Sequence, residues 1–142
     1  MNSESLKKCG LRITPHREKI LDILEKSDQP IPADRIFIMM KDDDIDINLS
    51  TVYRALEALV SKGLAVKLDI GGENKVYYAY NNNVHSHYLV CLGCKSITTI
   101  DYCPLEEYEK KLEEEREFSV SGHKLDIYGY CPGCKKKISE QQ

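Results

Sequence analysis

Four of the six cysteines fall into two Cys-x-x-Cys pairs, Cys91-Leu92-Gly93-Cys94 and Cys131-Pro132-Gly133-Cys134. At this spacing two thiolates of one tight turn can meet one metal ion, and two such pairs complete a tetrahedron. Zn²⁺ accepts four thiolates at about 2.3 Å without redox chemistry, and a site so filled has no open position for substrate. Such a site is structural. Gly93 and Gly133 fit this reading, because the backbone must turn sharply inside each pair to bring its amides towards sulfur. The alternative is two disulfides, or four buried thiols without a ligand. Paired spacing at both ends and the intracellular character of the chain favour the metal.

A second group of donors precedes the first pair. His85 and His87 lie two residues apart on an expected strand, so both imidazoles leave the same side and can share a metal. Spacing alone also allows two solvated strand histidines.

The elements that must position these donors are read from length and pattern. A chain of 142 residues holds one or two small domains, and 42% hydrophobic and 30% charged residues with few Gly and Pro leave no long disordered tract. About 60 residues supply little core, so a metal staple in the second half compensates. The first eight residues lack an apolar signal region, and no apolar run approaches the roughly 18 residues of a membrane span. The expected location is the cytoplasm, where thiols stay reduced. Before Asn83 there are 12 Lys/Arg against 13 Asp/Glu, and after it 8 against 10. Neither half grips nucleic acid by bulk charge, which leaves room for a local basic face on a small reading head.

In the first half, residues 6–11 suggest a short helix ending at Gly10. Thr14-Pro15 then reads as an N-cap with Pro at the first helical position. Ile20, Leu21, Ile23 and Leu24 recur on one face, and Ser27-Asp28-Gln29-Pro30 ends that helix. Pro32-Ala33-Asp34 opens a second helix with Ile36, Phe37, Met39 and Met40 as apolar contacts. Asn48-Leu49-Ser50 caps a third over 51–61, which turns Val52, Ala55, Leu56, Leu59 and Val60 inward and leaves Tyr53, Arg54 and Glu57 outside. Residues 64–70 and 75–80 read as strands around Gly71-Gly72-Glu73-Asn74. Three short helices and a hairpin make a winged helix-turn-helix, whose third helix enters the major groove.

Asn81-Asn82-Asn83 reads as a hinge, which divides a winged-helix DNA-binding domain (1–83) from a second domain (84–142). In the latter, 85–92, 97–101 and 124–130 read as strands. Cys103-Pro104-Leu105-Glu106 opens a Glu-rich helix to about residue 117, and the Lys135-Lys136-Lys137 end reads as frayed. The fold class is α+β.

Four stretches carry a family resemblance: Gly10-Leu11-Arg12-Ile13-Thr14-Pro15 with Arg17, Ser50-Thr51-Val52-Tyr53-Arg54-Ala55-Leu56, His85-Ser86-His87 leading into the first cysteine pair, and Gly122-His123-Lys124-Leu125-Asp126-Ile127-Tyr128-Gly129-Tyr130-Cys131. The resemblance is to the ferric uptake regulator family of metal-sensing repressors. It implies a cytoplasmic homodimer on a two-fold symmetric operator in double-stranded DNA, with no membrane partner. It also implies a C-terminal α/β dimerisation domain and a hinge metal that favours the DNA-competent form. Asp101-Tyr102-Cys103-Pro104 and Val120-Ser121-Gly122-His123-Lys124 are most similar to the zinc uptake regulators of that family, so Zn²⁺ is favoured over Fe²⁺ as the second metal, with an iron- or other-metal-sensing repressor of the same family as the alternative.

Two ligands usual in the family are missing: Gln29-Pro30 and Tyr78 to Tyr80 stand where a histidine and an acid or cysteine are common. Val84 and Ser86 replace two donors of a second common site. The resemblance therefore implies one composite site drawing on His85, His87, Glu106 and His123, with Asp101 or Cys103 as an extra ligand. Cys103 and Glu106, three apart on one helix, would face the same way. Tyr53 and Arg54 are the expected reading residues, Arg pairing with guanine or phosphate. Arg12, His16, Arg17 and Lys62 are candidate phosphate contacts.

A zinc hydrolase or deaminase is the rival from another class. A deaminase needs a Glu two residues after its ligand histidine, and His87 stands there after His85. No His-Glu-x-x-His is present, and four thiolates deny an open metal position. A constitutive DNA binder with only structural zinc is the third reading, kept open by the missing ligands.

Overall fold

Side-chain caps set the start of two of the helices that form the first half of the molecule. A computed structural model describes residues 2–70, 75–82, 86–100 and 102–140, and the chain divides into two compact units, Met1–Asn83 and Val84–Gln142. In the first unit, α1 (Asn2–Lys8) precedes α2 (Pro15–Lys26), where Thr14 Oγ1 accepts from the Arg17 amide at 3.1 Å. α3 is Ala33–Asp42 and α4 is Leu49–Ser61. Asn48 Oδ1 accepts from the Thr51 amide at 2.8 Å and from its hydroxyl at 2.9 Å, so α4 starts two residues before the expected 51. It ends at Gly63, whose φ of 77° suits a residue without Cβ.

The inward faces of these helices form one core. Ile20, Leu21, Ile36, Met40, Val52, Leu56 and Leu59 are buried there with Leu6 and Ile31, and Phe37 and Val60 pack at its margin. Met39, expected as a core contact, is exposed, because α3 turns only one stripe towards the other helices.

β2 (Ala65–Asp69) and β3 (Val76–Tyr80) pair antiparallel, with Lys67 opposite Tyr78. A two-residue strand, β1 (Ile31–Pro32), joins the other edge of β3, giving the order β1-β3-β2. No periodicity could announce so short a strand. The result is a winged helix-turn-helix; the turn expected at 71–74 lies outside the described residues. Of the expected hinge, Asn83 also lies outside them. Asn81 is tied back to the end of α4, its Nδ2 donating to Gly63 O at 2.8 Å and its amide to Leu64 O at 3.0 Å.

Glu57 of α4 is bound to this sheet. Its Oε1 accepts from Lys67 Nζ and from the Tyr78 hydroxyl, each at 3.1 Å. Burial, followed by the bond to Glu57, pushes the Tyr78 phenol up to about 12. A raised phenol stabilises the fold below the ordinary tyrosine range, and this contribution is lost as pH rises through the folded value. Stability of the native protein in urea should fall by roughly 2 kcal/mol between pH 10 and 12 on this account. Tyr78→Phe should lose about 1 kcal/mol at neutral pH and show a shallower decline; equal slopes in the two proteins would remove Tyr78 as the cause.

The second unit runs β4 (His87–Cys91), β5 (Ile97–Ile100), α5 (Glu106–Arg116), β6 (Asp126–Gly129) and α6 (Pro132–Glu140). Its sheet has the order β5-β4-β6. β4 pairs antiparallel with β5 and parallel with β6, so α5 lies in the crossover that parallel strands require.

Two expectations are corrected here. The frayed end is a helix, α6, in which Pro132 takes the first position and the Lys135 amide donates to Cys131 O at 2.8 Å. α5 begins at Glu106 rather than at Cys103-Pro104, and Pro104 and Leu105 form a turn before it. Among the described residues of this unit few are buried: Val90, Cys91, Ile97 and His87. No helix among the described residues is long and apolar enough to cross a membrane.

Candidate metal centres and reading helix

The end of β4 and the start of α6 bring the two cysteine pairs together. The sulfurs of Cys91, Cys94, Cys131 and Cys134 all lie within 4.8 Å of one another, and all four thiols are free of disulfides. Cys94 Sγ and Cys131 Sγ are 3.8 Å apart, the edge of about 3.8 Å that a tetrahedron with Zn–S bonds of 2.3 Å requires. The amides of Cys131 and Cys94 point at Cys91 Sγ from 3.3 and 3.5 Å. These amides pull the Cys91 thiol down to about 6. Cys134 is pushed up to about 12, because it keeps its proton on bonds towards Cys91 and Cys131. All four sulfurs can be ionised together only if a cation sits among them, and the arrangement fits a structural zinc ion.

The two glycines are not equivalent. A methyl group on Gly93 would lie 2.8 Å from Cys134 Sγ and 3.0 Å from its Cβ, whereas one on Gly133 meets nothing within 4 Å. The close approach that the sequence assigns to both pairs is therefore needed only at Gly93. Gly133 sits in the first turn of α6, where helix geometry already turns the chain.

A second cluster joins β4, the segment before α5 and the segment before β6. His87 Nε2, Cys103 Sγ and His123 Nε2 form a triangle with edges of 3.4 Å (His87 to Cys103), 3.3 Å (Cys103 to His123) and 2.9 Å (His123 to His87). Zn–N bonds of about 2.0–2.1 Å and Zn–S bonds of about 2.3 Å imply edges of roughly 3.3–3.6 Å, so small adjustments would seat an ion. His87 is buried at 2% exposure, and its ring stacks on that of His123 with centroids 4.7 Å apart.

The composite site expected from the sequence is thus brought together in part. His85 and Asp101 lie outside the described residues. Glu106 is exposed and is not among the clustered donors. Its expected alignment with Cys103 assumed a helix through both, and α5 starts only at Glu106. The carboxylate that reaches the cluster is Glu109, whose Oε1 accepts from His123 Nδ1. Residue spacing gave no signal for Glu109 while the helix start was misplaced by three residues.

On α4, Tyr53 and Arg54 are exposed near the N-terminal end, and Arg54 Nε reaches Ser50 O at 3.5 Å. Ser50 and Leu49 share that exposed end. Arg12 is exposed, and Arg17 Nη1 donates to its carbonyl at 2.8 Å, so Arg17 holds the loop that presents Arg12. His16 is half-buried in the first turn of α2. Lys62 caps the far end of α4, roughly 12 Å along the axis from Arg54 at 1.5 Å per residue.

A winged helix-turn-helix together with a unit that carries two soft-donor clusters fits a metal-binding transcriptional regulator. A model of the ferric uptake regulator family matches residues 8–128, and the chain belongs to this family. It is 32% identical over 134 residues to the peroxide-responsive repressor PerR of Staphylococcus aureus (strain Mu50 / ATCC 700699), covering 94% of this chain and 88% of that one. The Vibrio cholerae ferric uptake regulator superposes with a TM-score of 0.80 at 28% identity, over 92% of this chain and all (100%) of that one. The ferric uptake regulator of Francisella tularensis, solved with iron, gives 0.79 at 29% identity, over 89% and 96%. Regulators of this family bind DNA as dimers and are not enzymes.

Proposed function

We propose that this regulator is a repressor of metal-uptake genes whose corepressor is zinc. In this reading the His87, Cys103 and His123 cluster is the sensing site and the four-cysteine cluster a permanent staple. The observation that carries it is the donor set: two imidazole nitrogens and one thiolate within 2.9–3.4 Å of one another. Nitrogen with sulfur suits Zn²⁺, whereas an iron or manganese sensor would favour carboxylate oxygen in the thiolate's place. His85 and Asp101, each two residues from one of these donors in sequence, are the candidates for the fourth position.

The symmetric operator follows from a second copy of the chain. Leu89 of β4 stands opposite Ile127 of β6, and both are exposed on one face of the sheet. A sheet that leaves such side chains uncovered supports pairing with a second protomer across this unit.

The test is a zinc titration of binding to duplexes selected from a random pool. The selected sites should be two-fold symmetric, and Zn²⁺ should tighten binding where Fe²⁺ and Mn²⁺ do so at much higher concentration. A response to Fe²⁺ or Mn²⁺ equal to that for zinc would overturn the choice of metal. Arg54→Ala should weaken binding by about 1–3 kcal/mol and relax preference at one base pair in each half-site. If Tyr53→Ala and Arg54→Ala both bind as the unaltered protein does, α4 is not the reading helix.

A further inference from the structure

α5 has no fully buried residue, yet one of its faces is turned inward: Glu109, Leu112 and Glu113 are half-buried. Glu109 and Glu113 are four apart and so stand one above the other on that face. Both carboxylates reach the segment that carries His123. Glu109 Oε1 accepts from His123 Nδ1, and Glu113 Oε2 accepts from the Val120 amide at 3.2 Å. Glu109 and His123 are both largely shielded from solvent.

An ionised carboxylate can only accept, so on a neutral imidazole the bond to Glu109 places the ring proton on Nδ1. The lone pair is then on Nε2, the atom facing Cys103 Sγ and His87 Nε2. A carboxylate behind a histidine in this way fixes its tautomer and ring orientation and raises its basicity as a ligand.

We infer that α5 is the arm that presents His123 to the second metal, Glu109 setting the ring and Glu113 setting the backbone three residues upstream. Both are positioning residues. The inference rests on the reading of His87, Cys103 and His123 as a metal site, and its test separates the two. Second-site affinity is measured with Co²⁺ and Zn²⁺ against a competing chelator, in protein that keeps its cysteine-bound zinc. The imidazole tautomer is read by ¹⁵N NMR on metal-free second sites. Glu109→Ala should lower second-site affinity 10–100-fold and mix the His123 tautomers, with the cysteine-bound zinc and the melting curve unchanged. Glu109→Gln, which can still accept from Nδ1, should keep the tautomer and lose less affinity. Glu113→Ala should lose several-fold with the tautomer intact, and Glu106→Ala less than twofold.

An affinity within twofold of the unaltered protein in Glu109→Ala, or an unchanged His123 tautomer there, overturns the role of Glu109. An unchanged affinity in Glu113→Ala overturns that of Glu113. Complete loss of the second site in Glu109→Gln would make Glu109 a ligand and also overturn the inference. His123→Ala is the control for the site itself: retained second-site binding there refutes the site, whereas loss there with normal binding in Glu109→Ala refutes only the positioning arm.

Discussion

Cys134→Ser is expected to cost the chain one tightly held zinc ion and to unfold its second unit. The binding free energy of a structural zinc is of order 10 kcal/mol, and in small domains it acts as folding free energy. Among the described residues this unit buries only Val90, Cys91, Ile97 and His87, and neither α5 nor α6 buries a residue. That core cannot offset such a loss. The sulfur also has a neighbour that reports on it independently of its chemistry. Gly93→Ala leaves all four thiolates in place but puts a methyl group 2.8 Å from Cys134 Sγ. Either the knuckle or the α6 end must shift, and zinc affinity should drop at least tenfold, as measured by chelator competition. Gly133→Ala has open space and lies in a helix, so it should be neutral or stabilising by up to about 1 kcal/mol. Full zinc occupancy with an unchanged melting curve in Cys134→Ser would remove the staple, and equal behaviour of the two glycine variants would contradict the geometry around Cys134.

How far the sequence foretells these sites differs from place to place, for physical reasons. The four-cysteine cluster needs only two short turns, and its ligand spacing is set within each turn, so it could be read directly. The start of α4 was legible because Asn48 caps it with a side chain whose preference is local, and the start of α2 because Thr14 does the same there. The second cluster was legible only in part. His87, Cys103 and His123 come from three segments, and which side chains meet depends on where α5 begins. Pro104 reads equally well as a first helical residue and as a turn residue, and the structure makes it the latter. This one displacement moves the engaged carboxylate from Glu106 to Glu109. The α6 helix was hidden by its composition, since the Lys-rich stretch Lys135-Lys136-Lys137 has no apolar stripe to mark a buried face, and none of its residues is buried. Tyr78 shows the opposite case. The family often places a ligand near this position, but here it holds a buried phenol bonded to Glu57. The Tyr78 side chain thus belongs to the core beneath α4.

Removing both imidazoles of the second cluster should leave a folded DNA-binding protein that no longer answers to metal. His87→Ala/His123→Ala keeps the four cysteines, so it should retain one zinc per chain and dimerise. Zinc can drive repression only through a difference in its affinity for the DNA-competent and incompetent forms, and a coupling of about 1–3 kcal/mol would change operator affinity 5–150-fold. That whole response should vanish in the double variant, whose operator affinity with added zinc should equal that of the unaltered protein without it. His87 is buried, so its removal leaves a cavity; His87→Gln/His123→Gln, closer in volume and without imidazole donors, guards against a trivial loss of folding. In the unaltered protein the response should also weaken in acid, since protons compete with the metal for imidazole nitrogen. Binding to the operator is followed by fluorescence anisotropy at fixed ionic strength, with and without zinc. A double variant that still tightens on DNA when zinc is added, over the same concentration range as the unaltered protein, would place the sensor away from His87 and His123 and leave Cys103 as an ordinary thiol.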